Sequence, residues 1–212
     1  MREIAPGDDA PSGGRREANK ADKRRRILSA ARQLFTERGF DATTTSEIAR
    51  AAGIGTGTLF LYVRSKEDLL VAVFLEDVGR AWDEAFASIK TDAPLLEQLT
   101  SAFCHMVSYH EKDPALSRAF LRELIFVSEE GGAAVSKFMK GFFTKLEALL
   151  VASHARGELA DDVSAVQLAS NLWALYYTLA QRRHTGNLPA SELPGRLSEA
   201  FRLQLRGLTN SR

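Results

Sequence analysis

With a single cysteine in 212 residues, Cys104, the chain has no intramolecular disulfide and no cysteine-based zinc cluster to expect, and the cytoplasm is its natural compartment. Long apolar runs are missing too. The longest are short and broken by charges, and the amino terminus lacks the apolar segment of a signal peptide, so neither a membrane span nor a membrane partner is expected. No window alternates apolar with polar residues as a strand does, and nothing repeats at a solenoid period. Catalytic signatures are absent as well. His105 and His110 are five apart, so on one helix they point about 140° apart and make a poor metal pair. Gly53-Ile54-Gly55-Thr56-Gly57 is glycine-rich but lacks the preceding strand and the lysine of a phosphate-binding loop. No catalytic residue, no metal site and no cofactor is therefore expected.

What the chain does have is a charge split hidden under a net charge of +1. Residues 15–66 hold 12 Lys and Arg against 5 Asp and Glu, whereas residues 67–212 hold 15 against 19. A basic end on a mildly acidic body is the electrostatic footprint of a nucleic-acid-binding domain attached to something else. Inside the basic part, Thr44 to Lys66 reads as two short helices joined by a tight turn. Thr44 and Glu47 form the S/T-x-x-E capping box that starts the first helix, and Gly53 stands where the chain must turn with positive φ. Ile48, Ala49, Ala52, Ile54, Leu59 and Tyr62 can close a small apolar core. That leaves Thr45, Ser46, Thr56, Gly57, Thr58, Phe60, Leu61 and Lys66 on or near the outer side. Such helix pairs also occur in proteins that never meet nucleic acid, and here the surrounding charge favours DNA.

The rest of the chain reads as helices. Residues 1–20 mix Gly, Pro, Asp, Arg and Ser without a regular apolar face and are expected to form a disordered basic arm. Arg15, Arg16, Lys20 and Lys23 to Arg26 run into a first helix whose Ile27, Ala31, Leu34 and Phe35 share one face. A stripe from Leu70 to Ile89 marks the joint with a carboxy-terminal domain over 67–212. Breaks are expected at Asp92-Ala93-Pro94, Asp113-Pro114, Gly131-Gly132 and near Gly157. Residues 163–184 are apolar nearly all round and so need two partners, the domain's own core and the same helix of a second copy. With the last helix they predict a homodimer closed by a four-helix bundle.

The motifs resemble those of the TetR family of bacterial transcription regulators. The resemblance is carried by Arg24 to Phe35 with Gly39-Phe40, by Thr43-Thr44, Ile48-Ala49 and Ala52-Gly53, and by Gly57-Thr58-Leu59-Phe60 and Ser65-Lys66-Glu67 with Leu69. Thr56, Phe60, Leu61 and Val63 depart from residues common in that family, so base preference does not carry over. The resemblance implies an all-α homodimer of about nine helices, with a three-helix DNA-binding domain over 21–66 and a ligand-binding and dimerisation domain behind it. It implies a cytoplasmic repressor that binds a near-palindromic double-stranded operator and is released by a small apolar or aromatic effector. The alternative is a helical carrier or enzyme on the same fold without specific DNA binding. By the resemblance, Thr44, Tyr62 and Lys66 hold phosphates, with Arg24 from the basic arm. Thr45, Ser46, Thr56, Gly57 and Leu61 are the base-facing set, since thymine methyls suit Leu61 and threonine methyls and glycine permits close approach. Trp82, Phe86, Phe103, Phe120, Phe138 and Phe142 are the aromatic candidates for a ligand pocket. Asn171 and Tyr177 would orient that ligand or hydrogen-bond across the dimer seam.

Overall fold

The computed structural model describes residues 12–206 and Leu208. These residues form nine α-helices and no strand. In chain order they are α1 (Ser12–Arg38), α2 (Thr45–Ala51), α3 (Thr56–Leu59), α4 (Lys66–Ala87), α5 (Leu95–Lys112), α6 (Pro114–Glu123), α7 (Glu129–Ala155), α8 (Ala165–His184) and α9 (Leu193–Leu205), with short 3-10 turns at Leu124–Phe126 and Ala190–Glu192.

Helix α1 corrects the expected arm. Residues 1–11 lie outside the described residues, but the helix begins at Ser12, well inside the segment expected to be unstructured. Gly14 to Lys20 are all exposed. The missing apolar face signals that this stretch is unburied, not that it is unfolded. From Arg15 onward the residues are mostly Arg, Lys, Glu and Ala, which have good helix propensity and need no partner to extend an existing helix.

Two cores divide the molecule. The smaller one gathers Ile27, Ala31, Phe35, Ile48 and Leu59 from the first three helices and Phe40 from the turn after α1, with Leu69, Leu70 and Val73 from the start of α4. The larger one begins on the same helix at Phe74 and runs through α5 and α7 to α9. Helix α4 therefore belongs to both. Helix α3 has only four residues and could not stand alone; its buried Leu59 ties it to the small core, a burial that stabilises by about 1.5–3 kcal/mol.

A second difference lies between α6 and α7. The break falls at Val127-Ser128, and Gly131-Gly132 sit inside the first turn of α7. Ser128 caps that helix, its hydroxyl accepting from the Gly131 N–H at 3.2 Å. A β-carbon on Gly131 would stand 2.5 Å from Asp68 Oδ1 and 3.0 Å from Val127 Cβ. The glycine marks a helix crossing, not the expected break.

Candidate nucleic-acid interface and interior cavity

The capping box forms as expected. Glu47 N–H donates to the Thr44 hydroxyl at 3.3 Å, while the Glu47 carboxylate accepts from the Thr44 hydroxyl at 2.7 Å and from its N–H at 2.9 Å. The hydroxyl and backbone contacts from Thr44 hold the Glu47 carboxyl below the usual carboxylate range. Thr43, one residue earlier, is buried and donates to the carbonyls of Leu34 and Gly39, so the two threonines anchor and start α2 respectively. Gly53 turns the chain at φ 67°. Arg26 then fastens α1 to the end of α2, its Nη1 donating to the Ala52 carbonyl at 3.0 Å.

Around this frame Ser46, Gly57, Phe60 and Leu61 are exposed, Leu61 by 80%, while Thr45, Thr56 and Tyr62 are half-buried and Thr44 is exposed at the head of α2. Leu61, two residues past the end of α3, contributes nothing to the core, and with the neighbouring exposed Phe60 it forms an apolar pair on the outer surface. Two residues expected on phosphates are otherwise engaged. Lys66 Nζ donates to the carbonyls of Phe40 at 2.9 Å and Thr43 at 3.0 Å and lies 4.2 Å from the Phe40 ring centroid. It braces the loop between α1 and α2, leaving one of three N–H donors for a phosphate. Arg24 turns from the helix pair towards α4, 3.6 Å from Glu76. Arg32 makes a companion pair with Asp77 at 2.9 Å. Arg15, Arg16 and Lys20 are exposed and make no ion pair among the described residues, so they supply the free positive charge of α1.

Behind the helix pair, α4 and α7 leave an open cleft of about 490 Å³ with Arg24, Lys137 and Lys145 at its rim beside Glu76 and Asp83. Lys145 pairs with Asp83 across it. The room comes from Gly79 on α4 and Gly141 on α7, where a β-carbon would meet nothing within 4 Å. Leu75, Trp82 and Phe138 line both this cleft and a smaller cavity of about 80 Å³ deeper in the bundle. Of the aromatic residues expected at a pocket, Trp82 and Phe138 line both spaces, Phe142 the cleft, and Phe120 and Tyr177 the cavity.

Three expected residues line neither space. Phe103 is fully buried among Trp82, Tyr176 and Phe201, an aromatic core with no room left. Phe86 packs on Trp82 and Phe142. Asn171 accepts from Gln167 Nε2 at 2.9 Å on the outer side of α8. The cationic rim and a histidine pair in the cavity wall, half-buried His110 and buried His184, had no counterpart among the expected residues. Mid-helix glycines at 79 and 141, otherwise costly in a helix, were the available signal for the cleft. Among the described residues no cluster of His, Cys, Asp or Glu suits a metal ion, and no helix is long and apolar enough to cross a membrane.

A short exposed helix on a cationic support, carried by a helical body with an interior cavity, defines a DNA-binding transcription regulator of the helix-turn-helix class. Residues 27–73 match the family model for bacterial regulatory proteins, tetR family. The fatty acid metabolism regulator protein of Bacillus subtilis (strain 168) is 28% identical over 153 residues, which is 72% of this chain and 78% of that protein. The HTH-type transcriptional regulator UidR of Escherichia coli (strain K12) is 43% identical over 58 residues, 27% of this chain and 30% of that protein. The crystal structure of Thermus thermophilus FadR, a TetR-family transcriptional repressor in complex with lauroyl-CoA, aligns with TM-score 0.74 and 26% identity over 89% of this chain and 96% of that one.

Proposed function

We propose that the protein is a cytoplasmic homodimeric repressor that holds a near-palindromic operator and lets go when an acyl-CoA-like amphiphile occupies the cleft between α4 and α7. The observation that carries this reading is that the cleft and the aromatic cavity share a wall of Leu75, Trp82 and Phe138. At the rim Lys137 makes no ion pair among the described residues while Arg24 and Lys145 pair with Glu76 and Asp83, so an anionic head group can meet Lys137 and compete for the other two, and movement of the shared wall admits an apolar tail. The lauroyl-CoA of the Thermus relative has that chemistry. Because α4 and Arg24 of α1 both line the cleft, a ligand there pushes on the helix that seats the DNA-reading head.

On DNA, Thr45, Ser46, Thr56, Gly57 and Leu61 face the major groove, with phosphates held by Thr44, Tyr62 and the free cations at the start of α1. Two copies paired through α8 and α9 set the heads about 34 Å apart, one turn of duplex. The exposed Val166 and Tyr177 of α8 and Leu203 of α9 support that pairing face. The test is a titration of labelled duplex from upstream of the gene itself, at several salt concentrations, with and without lauroyl-CoA. Tight salt-dependent binding to that duplex alone, weakened at least fivefold by lauroyl-CoA, is the expected result. Equal binding to any duplex removes the repressor reading; release by no acyl-CoA removes the effector class.

A further inference from the structure

The cavity is lined mostly by apolar residues; its polar side chains are Tyr176, Tyr177 and, away from the cleft, His110 and His184, whose rings meet edge to face with centroids 5.9 Å apart. Neither histidine lines the cleft. Both also border the small void beyond, which the ion pair of Arg183 with Glu111 flanks. The His110 ring is stacked on Phe74 and fixed by Ser117, whose Oγ lies 3.2 Å from Nδ1 and donates to the His110 carbonyl at 3.3 Å. The single Ser117 hydroxyl proton has two acceptors in reach, the His110 carbonyl and Nδ1, so both neutral tautomers of His110 fit this contact, and in either one Nε2 has no hydrogen bond among the described residues.

His184 is 8% exposed, and neither of its ring nitrogens has a hydrogen bond among the described residues. A histidine that merely fills a core normally has a partner for at least one ring nitrogen, because an unpaired buried polar group opposes folding. Burial pushes the His110 imidazole down to about 4 and lowers that of His184, so both rings are neutral at pH 7. The nearby Arg183 is paired with Glu111, and Arg118 adds a second positive charge close to His184.

We propose that His110 and His184 form a neutral hydrogen-bonding station that holds a hydroxyl or carbonyl oxygen on the leading end of an otherwise apolar ligand. This rests on the reading of the cavity as an effector site and narrows its occupant. An alkyl end fills the cavity but leaves the station unpaired, so an oxygen at that end adds affinity.

The experiment titrates the full chain with phenol and toluene, which share a ring and differ in one group, and follows imidazole resonances by NMR alongside calorimetry. Expected are binding of phenol about tenfold tighter than toluene and shifts of the His110 and His184 signals. His184→Phe should invert the order of phenol and toluene, and His184→Gln should restore it in part. Toluene binding as well as phenol, or neither binding, would make the pair packed core and overturn the proposal. The wild-type ratio decides even if a variant fails to fold. Lauroyl-CoA has no part in this measurement, so failure of the acyl-CoA reading and failure of the station are told apart.

Discussion

Two glycines on α7 stand in opposite situations, and together they separate packing from ligand space. At Gly131 a side chain would collide with the Asp68 carboxylate and Val127, both held in place. At Gly141 it would enter the open cleft. Gly131→Ala should therefore lower stability by about 1–3 kcal/mol in urea or thermal melts, the usual result of overpacking. Gly141→Ala should leave it unchanged or raise it by up to about 1 kcal/mol, because alanine is the better helix former. Extending the change to Gly141→Leu should keep the fold and abolish the response to lauroyl-CoA. A Gly141→Leu protein that still releases DNA on lauroyl-CoA would move the effector elsewhere. Lys66 allows a similar separation at the DNA-reading head. Since two of its donors are spent on backbone carbonyls, Lys66→Gln should weaken operator binding and lower the melting temperature together. The salt dependence of operator affinity should stay nearly unchanged. A direct phosphate contact would instead reduce that slope by about one and spare stability.

At the scale of elements, local signals were legible and crossings were not. The capping box on α2, the positive φ of Gly53 and the small core closed by Ile48 and Leu59 follow from residues a few positions apart, and all were readable from the string of letters. The crossing at Gly131 depends on Asp68, more than 60 residues away, so a pair of glycines looked like an ordinary helix break. Helix α8 was read as apolar on two faces. Its buried row is Leu168, Ala169, Leu172, Tyr176 and Ala180, while the outward side carries Val166, Ser170, Ala174, Tyr177 and Thr178. That second face is only partly apolar, as suits a surface that meets another copy. Paired with Leu203 of α9, it makes a direct prediction. A Val166→Glu, Leu203→Glu double variant should run as a monomer in light scattering, keep its helical circular dichroism, and lose most of its operator affinity, because one head alone makes half the contacts. An unchanged mass would place the seam elsewhere.

For the whole molecule, the decisive feature is that α4 serves both cores, which the domain boundary drawn at residue 66 could not express. Its first turns complete the small core and its middle forms one wall of the cleft. Near its start, Asp68 accepts from the Ser128 N–H at 2.8 Å, and Arg64 just ahead pairs with Glu130, so the head of α7 is bound to the root of the DNA-binding unit. These contacts join residues some 60 positions apart, beyond the reach of periodicity or spacing. A ligand that pushes α4 from α7 must strain them, and operator DNA that favours one seating of α4 must oppose the ligand. Such coupling is reciprocal: if lauroyl-CoA weakens operator binding by a factor of about 5–150, saturating operator weakens lauroyl-CoA binding by the same factor. Asp68→Ala removes the carboxylate that ties the two helices and should bring both factors towards one while each ligand still binds alone. Because coupling is a ratio of two dissociation constants on one protein, a general loss of stability does not imitate it. Calorimetric titration of lauroyl-CoA into the free and operator-bound forms of wild type and Asp68→Ala measures all four constants. A variant whose coupling equals that of wild type would show that the signal reaches the DNA-reading head through Arg24 and Arg32 on α1 instead.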